Sequence, residues 1–244
     1  MSLNRVLLPG IALLGSPGFA AARPTSDPFA LGGLAHPVGS VPWNIVVLLT
    51  VLTLLPAIVL SMTPFVRLLV VFHFLRQALG TQTTPSNQTL IGLSLILTFF
   101  LMQPVGAAIH DAAIVPYELG QTDAIGAVNK ASGPLRRFML KYSREKDLAL
   151  FLELAKEPRP KLPEDLPMRV VMPAYLISEL KAGFQIGAAL YLPFLVVDMA
   201  VAAITTSVGM FQLPPVVIST PLKILLFVMV DGWNLLVGSL MKSF

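Results

Sequence analysis

Residues 169–208 read "RVVMPAYLISELKAGFQIGAALYLPFLVVDMAVAAITTSV". The pattern is helical almost throughout, and a helix of this length runs ~60 Å at 1.5 Å per residue. A bilayer core is only ~30 Å thick, so one simple crossing does not fit. Pro193 removes a backbone donor and is expected to kink the helix. Either the segment folds back, or much of it lies outside lipid, packed in protein. Both readings describe an all-α chain whose helices pack on one another.

The composition agrees with that reading. Of 244 residues 55% are hydrophobic and 12% charged, against ~25% charged in an ordinary soluble domain. The absence of cysteine removes disulfides, thiolate metal sites and cysteine nucleophiles. The net charge of +4 is spread thinly and forms no basic run, which argues against nucleic acid as a partner. Walker loop, HExxH, GxSxG and GxGD motifs are all absent, and His36, His73 and His110 lie far apart. No enzyme and no metal or other cofactor is expected.

The charges are concentrated. Residues 106–167 hold 18 of the 30 charged side chains, so the rest of the chain is nearly charge-free. This polar middle carries Leu135, Phe138, Met139 and Tyr142 on one helical face, after a start read at Ser132-Gly133-Pro134. A second short helix carries Leu148, Phe151, Leu152 and Ala155. The pair reads as a helical hairpin with a charged outer face. Its apolar stripe is either its own small core or, at Phe138 and Phe151, a contact with another protomer.

The N-terminus has Arg5, an apolar run to Leu14 and small residues up to Ala22, the layout of a cleavable signal peptide over 1–22. An uncleaved helix is the alternative. Residues 23–40 are then a Pro/Gly-rich leader. A first apolar hairpin covers 41–105: a span candidate at Val41–Met62, a break at Pro64, a helix at Phe65–Leu79 with Arg67, His73 and Arg76, and a second span at Thr89–Val105 ended by Pro104. A second apolar hairpin covers 168–244, its last helix read as Val216–Phe244. With a signal peptide, the polar insertion 106–167 would be periplasmic.

Charges inside apolar runs are costly and mark pairing or function. Asp198 lies 11 residues before Gly209 and Lys223 nine after Pro214, so an antiparallel hairpin would let them meet. The pair is either purely structural or part of a proton or ion relay. Arg67 and Arg76 face opposite sides of their helix. Glu179 and Lys181 stand about 200° apart and need partners on other helices or subunits. Gly183 and Gly187 form a small-residue face that admits a second backbone, read here as a protomer contact. Asp231 is a further buried-acid candidate. Between the two final helices lies "GMFQLPP" (209–215), a turn with no charge and an apolar tip.

The stretch "LPAIVLSMTPFVRLLVVFHFLRQALGTQTTPSNQTLIGLSLILTFFLMQPV" (55–105) resembles the first signature of the FliP family of flagellar type III export-gate proteins. "PAYLISELKAGFQIGAALYLPFLVVDMAVA" (173–202) and "PLKILLFVMVDGWNLLVGSL" (221–240) resemble its second. The resemblance implies a ring of five copies with FliQ and FliR as companions, working with the export proteins FlhA and FlhB in the bacterial inner membrane at the flagellar basal body. It implies passage of unfolded flagellar proteins through a gate closed by a Met-rich loop. That loop corresponds to Gly209, Met210, Phe211, Gln212, Leu213 and Pro214, where Phe211 and Gln212 replace methionines. Asp198 and Lys223 match the family's buried acid and base, and Phe138 and Phe151 its hairpin aromatics. An injectisome homologue or a small-solute transporter are the alternatives; no internal repeat supports the latter.

Overall fold

A computed structural model describes residues 42–158, 160, 162–210 and 212–244. The expected signal peptide (1–22), leader (23–40) and Phe211 lie outside the described residues. Contacts divide the chain into Met1–Leu48 and Leu49–Phe244. The described part of the first unit is the entry into α1 (Trp43–Ser61).

All regular elements among the described residues are helical. After α1 come α2 (Phe65–Ala78), α3 (Asn87–Ile109), a π-turn at His110–Ile114 and α4 (Val115–Glu118). The polar middle holds α5 (Ala124–Tyr142) and α6 (Glu145–Leu154). Then follow α7 (Met168–Ser207), α8 (Pro215–Met229) and α9 (Gly232–Lys242). Three helical stretches are long and apolar enough to cross a membrane: Trp43–Ser61, Asn87–Glu118 and Met168–Ser207; a fourth arises if α8 and α9 act as one bent span.

Helix α2 organises the first core. Leu68, Val71, Phe72 and Leu75 recur at helical spacing and are fully or almost fully buried, with Leu90 of α3, Phe227 of α8, and Leu236 and Leu240 of α9 against them. Each such side chain contributes about 1.5–3 kcal/mol when removed from water. A second core joins the polar middle to the start of α7: Met139 and Leu152 meet Val170, Val171 and Tyr175. The apolar stripe of the hairpin is thus covered by α7 of the same chain.

Helix α7 is one continuous 40-residue helix and does not fold back. Pro173 and Pro193 lie inside it. Each removes one donor, and the helix continues through both. Four expected boundaries or placements are corrected. Helix α3 does not stop at Pro104; it runs to Ile109 and continues into the π-turn. Helix α5 starts at Ala124 instead of Ser132, because the Asp123 carboxylate accepts the Gly126 N–H at 2.9 Å and caps the end. Pro134 is therefore internal and buried.

The last helix is not continuous. It bends by 66° between Met229 and Gly232, with Asp231 in the left-handed region at φ 53°. The Phe227 ring packs where a Gly232 side chain would stand, 2.3 Å from the position of a Cβ. Only glycine admits that ring, so the chain turns there. Asp231 is consequently exposed, not buried.

Candidate functional site

The turn between α7 and α8 is built by its flanks. Gly209 takes φ +81°, which L side chains rarely adopt. Its N–H donates to the Thr206 carbonyl and the Met210 N–H to the Thr205 carbonyl, both at 3.0 Å. That pair of bonds is a Schellman stop for α7. On the far side Pro214 is extended and Pro215 opens α8 at its first position, where a missing N–H costs nothing. Gly209, Met210, Gln212, Leu213 and Pro214 between these stops are all exposed. No charged residue occurs from Met199 to Leu222. The result is a well-defined, uncharged, apolar tip.

The charge-free interval ends at both sides in one ion pair. Lys223 donates to the Asp198 carboxylate. Lys223 is buried, while Asp198 keeps part of its surface open. Asp198 Oδ1 and the Ser219 hydroxyl are buried beside this pair.

Glu179 and Lys181 point to different neighbours. Glu179 accepts from Arg67 of α2 at 2.5 Å, with both side chains buried. Arg67 also donates to the Ser243 hydroxyl at 3.2 Å, and its guanidinium lies 3.9 Å from the centre of the Phe244 ring. The Tyr142 hydroxyl donates to the Phe244 main-chain oxygen. One arginine therefore joins α2, α7 and the end of α9, within reach of α5. Lys181 donates to Asp147 at the start of α6, which also accepts from the Ser178 hydroxyl at 2.8 Å. The Ser178 oxygen in turn accepts the Arg144 N–H at 2.9 Å. Burial of Asp147 raises its carboxyl pKa, but the bonds from Lys181 and Ser178 outweigh this and hold it below the usual value.

Arg76 is not part of these networks; it donates to the Asn87 side chain at 2.6 Å and braces the loop between α2 and α3. Gly183 and Gly187 face α2. Their open faces receive Val70 and Phe74 of α2 in the same chain, with a Gly187 Cβ falling 2.5 Å from the Phe74 ring. The close approach they permit is made to α2 of the same chain. Phe138 and Phe151 are half-buried against the second core, the Phe138 ring 5.1 Å from Tyr142 and 6.1 Å from Tyr175.

Sequence reasoning missed Asp147, Ser178, Ser243 and Phe244. Asp147 had a signal: it lies four residues before Phe151 and so shares that apolar face. Phe244 had none, because its partner Arg67 is 177 positions away.

Comparisons with known proteins bear on the arrangement. Residues 48–240 match the model of the FliP family. The chain is 49% identical over 212 residues to the flagellar biosynthetic protein FliP of Pectobacterium carotovorum subsp. carotovorum, covering 85% of this chain and 82% of that protein. It is 48% identical over 201 residues to the flagellar biosynthetic protein FliP of Bacillus subtilis, covering 82% and 91%. The protein of the same name from Aquifex aeolicus is 44% identical over 203 residues, covering 82% and 85%.

Proposed function

The chain belongs to the FliP family, and on that premise we propose that it is a pore-forming subunit of the flagellar type III protein export gate. In this reading several copies, five by the family pattern, assemble with FliQ and FliR in the bacterial inner membrane and work with FlhA and FlhB. Unfolded flagellar proteins pass through the ring they form, and the polar middle faces the periplasm. The names of the relatives, all flagellar, support the flagellar branch over an injectisome.

The observation that carries the pore reading is the tip at 209–214. Its described residues are exposed, no charge lies within ten residues before it or eight after it, and it is held between a Schellman stop and a proline start. Repeated around an axis, Met210, Phe211 and Leu213 would exclude water, because apolar walls without charge offer an ion no substitute for its hydration shell. Flexible Met side chains yield to a passing chain and close behind it. Phe211 gives that seal an aromatic component. Asp198 and Lys223, at the base of the tip, hold the two helices in register so that the tips converge.

The test combines permeability with assembly. Met210→Ala with Phe211→Ala should make cells leak small ions while the complex still purifies at its normal size. Normal permeability with normal assembly would place the seal elsewhere. Alanine at Phe138 and Phe151 should lower the yield of the ring, and an unchanged ring would leave these residues to the chain's own core. A reporter that is active only outside the cytoplasm, inserted after Lys130, tests the side on which the polar middle lies.

A further inference from the structure

Helix α8 rests on few residues. Along it only Pro215, Ser219, Thr220, Lys223 and Phe227 are not exposed. Ser219, Lys223 and Phe227 follow at four-residue spacing and form one buried stripe. A single stripe fixes the rotation of a helix weakly. Thr220 lies about 100° round from Ser219 at the same level, and it meets a different neighbour. That neighbour is Gly80, at the end of α2. A Cβ on Gly80 would stand 2.7 Å from the Thr220 hydroxyl oxygen.

The seat at Gly80 is itself well held. Helix α2 ends there in a Schellman stop: the Gly80 N–H donates to the Gln77 carbonyl at 3.0 Å and the Thr81 N–H to the Arg76 carbonyl at 3.3 Å, with Gly80 at φ +74°. Ala78 and Leu79, just before it, are buried. The Thr81 hydroxyl donates to the same Arg76 carbonyl at 3.2 Å. Arg76 donates to the Asn87 side chain at 2.6 Å and the Pro85 carbonyl at 3.4 Å, so the loop beyond Gly80 is tied back to α2. On its other side the same turn of α8 faces α7, where Ser219 is buried beside the Asp198–Lys223 pair. Residues 219–223 are thus clamped between α7 and the end of α2. Thr220 follows Pro214 by six residues, about 9 Å along the helix. A roll or shift at the clamp is carried into the tip.

We infer that Gly80 and Thr220 are positioning residues of the gate. The end of α2 sets the rotation and height of α8, and through α8 the place where residues 209–214 stand. The role rests on reading 209–214 as the gate; the contact does not. The uncharged polar loop that opens at Gly80 accordingly belongs to the frame of the gate. Glycine is required at 80 twice over, by the positive φ and by the Thr220 hydroxyl. Gly120 separates the two demands. It ends α4 in the same kind of stop, with φ +68°, its N–H on the Tyr117 carbonyl and the Gln121 N–H on the Pro116 carbonyl. Nothing lies within 4 Å of a Cβ there. Alanine at Gly120 meets only the backbone strain, whereas alanine at Gly80 meets that strain and Thr220.

The chain has no cysteine, so spin labels at Ile96→Cys on α3 and Leu213→Cys in the tip report one distance within the full chain. Pulsed electron paramagnetic resonance reads it, with labelled chain diluted into unlabelled copies. Gly80→Ala should move the mean distance by about 1–2 Å, the size of a packed-helix shift. Thr220→Ala should broaden the distribution, because the seat is lost without a clash. Gly120→Ala should match the wild type. Gly80→Ala with Thr220→Ala should return to the wild-type distribution, because the two Cβ atoms then stand 3.7 Å apart, an ordinary contact. A Gly80→Ala chain with an unchanged distance, or one that Thr220→Ala does not rescue, overturns the inference. If Gly80→Ala does not fold, Thr220→Ala decides alone, and an unchanged distribution overturns it. Cells carrying Gly80→Ala should also leak small ions, and the double variant should not. No leak from Gly80→Ala, where Met210→Ala with Phe211→Ala leaks, overturns the positioning role. If that tip variant does not leak, the gate reading falls, and the distance still decides whether Gly80 places the tip.

Discussion

The two halves of α7 have the same apolar character and opposite fates. Up to Gly187 the helix buries Val170, Val171, Ala174, Tyr175, Ser178, Glu179, Gly183 and Gly187; beyond it, only Val201 and Thr205 are buried. Leu192, Val196, Met199 and Ile204 of the second half stand exposed. The difference lies in what the flanks supply. The first half has two glycines that admit α2, and charges that find partners on α2 and α6. The second half packs mainly on α8 and has one ion pair. Folding of the single chain completes the first half and leaves the second presenting its surface outward. An apolar helix is therefore not a uniform object; its small and charged residues decide which length is core and which is interface.

The largest effect is expected where burial is deepest. Glu179→Leu strands Arg67 without its carboxylate and should cost about 3–5 kcal/mol, because the remaining charge is buried and unpaired. Arg67→Met with Glu179→Leu should recover most of that loss, since a well-packed apolar pair replaces both charges. Thermal unfolding of the purified chain reads both. A double variant as unstable as the single one would show that the ion pair, and not packing, holds the first half together.

Next in size is Gly187→Ala. The new Cβ meets the Phe74 ring, so α2 must shift, at a cost of about 1–3 kcal/mol. Gly92→Ala, where nothing lies within 4 Å, should be neutral or slightly stabilising and serves as the control. Equal responses would mean that the close approach of α2 and α7 does not define the packed half.

In the second half, Asp198→Lys and Lys223→Asp should each reduce assembly, and the two together should restore it if pairing is the role. A swapped protein that assembles but does not export would assign the pair a task beyond structure. The cost to the chain itself should be smaller than at Glu179, because Asp198 retains some access to solvent.

The smallest effect is pH-dependent. The Asp147 carboxyl titrates lower in the folded chain than when unfolded. Its stabilising contribution is therefore complete above the unfolded value of ~3.9 and is lost as pH falls through the folded one. The midpoint of wild-type unfolding should drop below pH 4 relative to Asp147→Asn, while the gap between the two stays constant from pH 5 upward. Parallel curves at acid pH would remove Asp147 from the junction between α6 and α7.

Periodicity made the helices legible, and the charge census made the polar middle legible. The pairing of Asp198 with Lys223 followed from counting residues on either side of a turn. The partners of Glu179 and Lys181 did not follow, because Arg67 and Asp147 lie 112 and 34 positions away. Helix ends were misplaced where a proline was read as a boundary. Pro104 and Pro134 lie inside helices, Pro134 buried there, while the break in the last helix comes at Asp231-Gly232, which carries no proline.

The sequence by itself determined an all-helical, membrane-compatible chain with a charged middle and an uncharged turn between its last two long helices, since composition and 3.6-residue spacing are local properties. Only the tertiary structure decided that α7 is one unbroken helix, that Gly183 and Gly187 serve α2 of the same chain, and that Phe244 covers Arg67. Those outcomes depend on which surfaces meet at distances the chain order does not encode, where a missing Cβ or a buried charge selects one neighbour over another.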